Sequence, residues 1–154
     1  MVLQNNQSES IDCGGASVQL QVDGDGIGTA AYSGLLMPSN FLALSVLVMR
    51  AGQARGARGL IYLIDQAVIC FTPDSLPDAY SSLATQLKPL PVAFVTNEGQ
   101  AELHRLVVQH AGENGLLRRQ FDNAAAAREW LLGLSRTIGD NRDWWQQRQR
   151  RPAS

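Results

Sequence analysis

Few residues in this chain are equipped for chemistry. His104 and His110 are the two histidines, and they stand six positions apart in a segment with helical periodicity. On a helix that spacing turns the two rings to different sides, so they cannot share a metal ion without outside ligands. His104 is expected on the surface and His110 at the edge of the core face. Cys13 and Cys70 lie far apart in no CxxC pattern, which reads as two free thiols, Cys70 being buried and inert beside Phe71. No GxSxG surrounds any serine, so acyl transfer through a nucleophile elbow has no support. Asp23-Gly24-Asp25-Gly26-Ile27-Gly28 has the look of a phosphate or calcium loop. The dinucleotide fingerprint must run from strand to helix, whereas this loop joins two strands. A calcium loop would need a ligand where Ile27 stands and a glutamate at its end. The segment therefore reads as a hairpin turn, and the sequence predicts no catalytic residue, no metal and no cofactor.

Residues suited to binding are more numerous. Arg118 and Arg119, with Arg105, are candidates for an anion patch, although successive strand residues face opposite ways. Trp144 and Trp145 among Arg142, Arg148, Arg150 and Arg151 suit a membrane interface or an acidic partner. The competing reading packs those tryptophans back on the domain or on a second copy. The favoured contact surface is the loop and helix start from Asp65 to Ser75, with Asp65, Thr72, Asp74 and Ser75 as its polar members. Thr96, Asn97 and Glu98 on the neighbouring loop complete it. Both loops follow strands of a sheet, where open α/β folds place their sites.

These positions follow from the elements. Residues 1–14 are polar and end in Gly14-Gly15, a segment expected to be disordered. Ser17–Val22 alternates apolar and polar residues, the Asp-Gly repeat turns the chain, and Ile27–Ser33 returns as the second strand of a hairpin. Pro38-Ser39-Asn40 opens a buried helix over Phe41–Ala54. Gly59–Ile64 is a strand, and Ala67–Phe71 continues extended. Thr72-Pro73-Asp74 begins a helix to about Leu87, which Pro89 and Pro91 stop. Pro91–Thr96 is a strand. Thr96 or Asn97 caps the next helix, with Leu103, Leu106, Val107 and His110 on one face, and Asn114-Gly115 ends it. Leu116–Phe121 is the last strand. Asp122 caps a final helix to about Arg136, with Ala127, Trp130, Leu131 and Leu134 as its apolar stripe. The order β-β-α-β-α-β-α-β-α predicts an α/β fold: a mixed, mostly parallel sheet with an N-terminal antiparallel hairpin and about four helices. The domain is placed at residues 15–137, after the 1–14 segment, with a polar tail at 138–154.

Composition bounds the rest. A chain of 154 residues suffices for one domain that needs no disulfide or metal. The net charge of −1 removes any global electrostatic case for nucleic acid. No Lys or Arg precedes Arg50, so the chain is acidic at one end and Arg-rich at the other. Phe41–Met49 is too short to span a bilayer, and residues 1–10 show no signal-peptide pattern, so a cytoplasmic protein of bacterial type is expected.

Between Gly34 and Leu132 the pattern resembles the SpoIIAA-like branch of the STAS family. The matching pieces are Gly34-Leu35-Leu36 with the helix from Asn40, the strand Arg58–Asp65, the piece into Phe71-Thr72-Pro73, Pro91–Val95, and Phe121–Leu131 with its alanine-rich helix and Trp-Leu. The resemblance implies a small, cytoplasmic, non-catalytic regulatory or protein-interaction module, so a protein partner is expected, with a homodimer as a further expectation. Some members are phosphorylated on a Ser or Thr just after the central strand. Here Asp65 is followed by Gln66-Ala67-Val68, and Thr72 and Ser75 do not fill that slot. A small-molecule or lipid-binding domain, with an apolar pocket under Phe41–Met49, is the rival expectation. Membrane contact would run through Trp144 and Trp145.

Overall fold

Alternation builds the first half of the sheet. Val18, Leu20 and Val22 are buried while Gln19 and Gln21 are exposed, which makes Ala16–Val22 a one-sided strand, β2. The computed structural model describes residues 8–70, 90–113 and 117–140. Before β2 comes β1 (Glu9–Cys13); after it come β3 (Ile27–Leu36), α1 (Pro38–Ala54), β4 (Gly59–Leu63) and β5 (Ala67–Ile69). The chain resumes with β6 (Val92–Val95), a 3-10 turn at Glu98–Gln100, α2 (Ala101–Glu113), β7 (Arg118–Phe121) and α3 (Ala124–Asp140). The fold is α/β, with a seven-stranded mixed sheet and three helices among the described residues.

The sheet order is β1-β2-β3-β4-β6-β7, with β5 paired to the far end of β3. β1, β2 and β3 are antiparallel; β3, β4, β6 and β7 run parallel. Side-chain alternation splits the core into two. On one face, Leu20, Tyr32, Leu60, Tyr62, Val92 and Phe94 pack with Leu44, Val48 and Met49 of α1 and Val107 of α2. Tyr62 lies 5.1 Å from the Tyr32 ring and 5.5 Å, edge-on, from Phe94. Burial pushes the Tyr62 hydroxyl upward in pKa. On the other face, Ile27, Ile61, Ala93 and Val95 meet Ala127 and Leu131 of α3. Helix α3 covers β4, β6 and β7. On that face β1 and β2 carry polar residues, with Ser17 bonded to Ser33 at 2.9 Å and Gln19 to Ser10 at 3.0 Å.

Several expectations are corrected. The unstructured segment expected through residue 14 does not include Glu9–Cys13, which form an edge strand in full register with β2. Gly14 and Gly15, both at positive φ, make the two-residue turn between them. Strand β3 runs three residues beyond Ser33, because Gly34 at φ +85° lets its backbone pass close to Gly15. Asn123, not Asp122, caps α3, its Oδ1 accepting from Ala126 N at 2.8 Å. That helix extends to Asp140, past the expected end at Arg136. Cys70 is exposed rather than buried, since β5 is a three-residue piece ending one position earlier. The helix expected over residues 72–87 lies outside the described residues, as do the side chains of His104 and His110.

Candidate functional site

Parallel strands β4 and β6 deliver two loops to the same end of the sheet, and two amide side chains join them. Asn97 begins the second loop. Its Oδ1 accepts from Gln100 N at 3.0 Å, and Gln100 Oε1 accepts from Asn97 N at 3.1 Å, a reciprocal capping box at the entry to α2. Both side chains then reach the first loop. Asn97 Nδ2 donates to Asp65 O at 2.9 Å. Gln100 Nε2 donates to Ile64 O at 2.7 Å and to Ala67 O at 3.0 Å. Gln100 is buried, so its two bonds to Ile64 O and Ala67 O are sheltered from water. Thr96 is also buried, and its Oγ1 accepts from Gln120 Nε2 of β7 at 3.0 Å. Three strand ends are thus tied into one surface.

The structure brings together Asp65, Thr96, Asn97 and Glu98 of the expected site. Asp65 is half-buried with its backbone oxygen held, Thr96 is used internally, and Asn97 and Glu98 are exposed. Thr72, Asp74 and Ser75 lie outside the described residues. Beside this cluster, Leu35 and Val68 are cross-strand neighbours of β3 and β5, 39% and 59% exposed. Met37 at the head of α1 is exposed too. The sequence reasoning missed Gln100, although the Asn97-x-x-Gln100 spacing is a capping-box signature. It also missed Asn40, a second buried amide. Asn40 Oδ1 accepts from Met37 N at 2.7 Å, and its Nδ2 donates to Leu35 O at 2.8 Å and Gly14 O at 3.0 Å. These bonds fix the end of β3 and the β1–β2 turn against α1.

The start of α2 is poorly suited to hold an anion. Asn97 Oδ1 takes the Gln100 N–H just before the helix, and Glu98 and Glu102 already place negative charge at that end. The arginine patch also disperses. Arg118 is buried, donating to Leu90 O and Leu117 O, each at 3.1 Å. Arg119, on the opposite side of β7, lies over the Phe121 ring at 5.3 Å, and Arg105 pairs with Glu102 at 2.6 Å.

At the other end of the sheet, the Asp23–Gly26 turn is a hairpin turn as expected, and its carboxylates are occupied. Asp23 Oδ1 accepts from Asp25 N at 2.8 Å and Ile27 N at 3.2 Å. Arg128 of α3 pairs with the other Asp23 oxygen and with Asp25 Oδ2 at 2.6 Å. Partial burial alone would raise the Asp23 pKa, but the Arg128 bond, the two N–H donors and the Arg128 charge hold it below the ordinary value. Among the described residues no three His, Cys, Asp or Glu side chains are grouped to hold a metal ion. Two depressions are polar-walled: about 360 Å³ beside Asp12–Ser17, Ser33 and Gly34, and about 450 Å³ beside Val22–Gly26, Arg55, Gly56 and Arg58. Neither is lined by Phe41–Met49. No described helix is long and apolar enough to cross a membrane. No protein-family model matches the chain, and no curated protein matches it.

Proposed function

We propose that this chain is a STAS-like, non-enzymatic regulatory module of the cytoplasm, docking a protein partner on the surface formed after β4 and β6. One observation carries the reading: Asn97 and Gln100 knit the two loops into one fixed platform. The Thr96, Asn97 and Gln100 side chains are engaged in that knitting. What the platform turns outward is the Asp65 and Glu98 end, the Asn97 amide edge, and the apolar pair Leu35 and Val68. A preorganised surface of acid beside apolar groups suits protein recognition, because little ordering entropy is lost on binding. From the sequence, Thr72, Asp74 and Ser75 are further candidates for the contact. The SpoIIAA-like resemblance points to this use of the fold.

Affinity capture with the full chain tests it. A stoichiometric protein retained by the parent and lost on Asp65→Lys with Glu98→Lys, or on Asp74→Ala with Ser75→Ala, supports the assignment. Equal retention by these variants overturns the surface. Native mass spectrometry showing a co-purified lipid would instead favour the small-molecule reading.

A further inference from the structure

We propose that the occupant of this surface is the 141–154 segment of a second copy of this chain, with Trp144 and Trp145 seated on Leu35 and Val68. The proposal rests on the reading of the surface as a protein-docking site and names what docks. The surface pairs exposed apolar side chains with acids. Residues 33–37, 64–70 and 96–100 contain no Lys or Arg, while Asp65 and Glu98 stand among them. The 141–154 segment has the complementary composition: two adjacent tryptophans, and Arg142, Arg148, Arg150 and Arg151 against the single acid Asp143. Indole rings on a small apolar patch, with guanidinium groups reaching flanking carboxylates, make a common kind of interface anchor.

Geometry decides between the same chain and a second one. Helix α3 starts beyond the last residue of β7 and runs back along the sheet. By Leu131 it has reached Gly59, the first residue of β4, whose added Cβ would lie 2.9 Å from Leu131 Cδ2. From Leu131 to Asp140 the helix continues about 13 Å further in the same direction. The patch lies the other way. Ile27 is level with Gly59, and Leu35 lies eight residues along β3 from it, roughly 26 Å. Asp140 and the patch are therefore about 40 Å apart along the sheet. Trp145 is five residues beyond Asp140 and reaches at most about 18 Å. It falls well short of its own patch. Two copies side by side and antiparallel bring each helix end to the other's patch, and reciprocal exchange closes the pair with two-fold symmetry.

Sedimentation velocity on the full chain over a dilution series tests this, with two variants. Val68→Lys spoils the patch at an exposed position; Trp144→Ala with Trp145→Ala spoils the segment outside the described fold. The parent should form a reversible species of about twice 16.7 kDa, weakened by salt. Each variant alone should sediment as one chain. An equal mixture of the two should associate again, less tightly than the parent, because one of the two reciprocal contacts is intact. Recovery on mixing also shows that neither variant has unfolded. A parent of single-chain mass throughout, variants that keep the parent's mass, or a mixture that stays monomeric overturns the proposal. If Val68→Lys alone dissociates the parent, the occupant is wrong while the docking surface stands.

Discussion

Replacing Gln100 with alanine removes the side chain that joins the two loops of the platform. The bonds lost include the one accepted from Asn97 N and the two donated to Ile64 O and Ala67 O. Ile64 O keeps the Ala67 N–H at 3.0 Å, so its loss is partial. Ala67 O loses the Gln100 bond at a buried position, and Asn97 N loses its side-chain acceptor at a part-buried one. A net bond contributes roughly 1 kcal/mol, and a buried group left without its partner costs roughly 1–3 kcal/mol, so the variant should lose roughly 2–4 kcal/mol. Gln100→Glu sharpens the test. Its carboxylate would face two carbonyl oxygens, which raises its folded-state pKa above the unfolded value. A raised pKa contributes stability at pH below the unfolded value that is lost as pH rises through the folded one, so this variant should be more stable in mild acid than at neutrality. Urea unfolding gives the stability, and amide exchange at Asp65, Gln66 and Ala67 reports the loop. A Gln100→Ala variant within about 0.5 kcal/mol of the parent, with unchanged exchange, would refute the stapling argument.

Further outcomes follow from the same structure. Asn40→Ala removes three bonds at a buried position and should cost roughly 2–4 kcal/mol in urea unfolding, while an exposed change such as Leu47→Ala should cost under about 0.5 kcal/mol. Gly34→Ala would drive its Cβ into the Gly15 carbonyl oxygen at φ +85°, so a loss of about 3 kcal/mol or more is expected, seen as a lowered Tm; an unchanged Tm would contradict the close approach. Arg128→Gln should cost about 1 kcal/mol at neutral pH, a figure already discounted for solvent exposure of the pair. Because the Asp23 pKa is depressed, this contribution exists above the unfolded carboxyl value of 3.8 and fades as pH falls through the lower folded value. Parent and variant should therefore converge in stability as pH falls below the lowered Asp23 value, and a gap independent of pH would count against the ion pair.

The periodic elements were legible because their burial is one-sided and repeats. The alternation in β2 and the Ala127–Leu131 stripe of α3 both place the same residues inside that the structure buries. Strand β1 was harder, since Glu9-Ser10-Ile11-Asp12-Cys13 offers only Ile11 as a strong strand former and gains its order from pairing with β2. The apolar stretch Ala67–Phe71 suggests a buried strand, but the strand there is three residues long, pairs only with β3 and leaves Cys70 exposed. The two loops of the proposed site can be picked out from topology alone, through the rule that sites gather after parallel strands. Their stapling was legible only in part. Asn97-x-x-Gln100 announces a helix cap, but the reach of both amides to Ile64, Asp65 and Ala67 depends on strands 32 to 36 residues away being neighbours. The same limit hid Asn40 and the bond between Arg128 and the Asp23 turn, which spans 105 residues.

The central claim is that the surface after β4 and β6 is where this protein meets its partner. Affinity capture with the full chain, comparing the parent with the Asp65→Lys, Glu98→Lys double variant and with Arg119→Ser on the exposed side of β7, tests it most directly. The account predicts one stoichiometric protein, another chain of this kind included, held by the parent and by Arg119→Ser and released by the double variant. Retention by all three, or loss on Arg119→Ser alone, would contradict it.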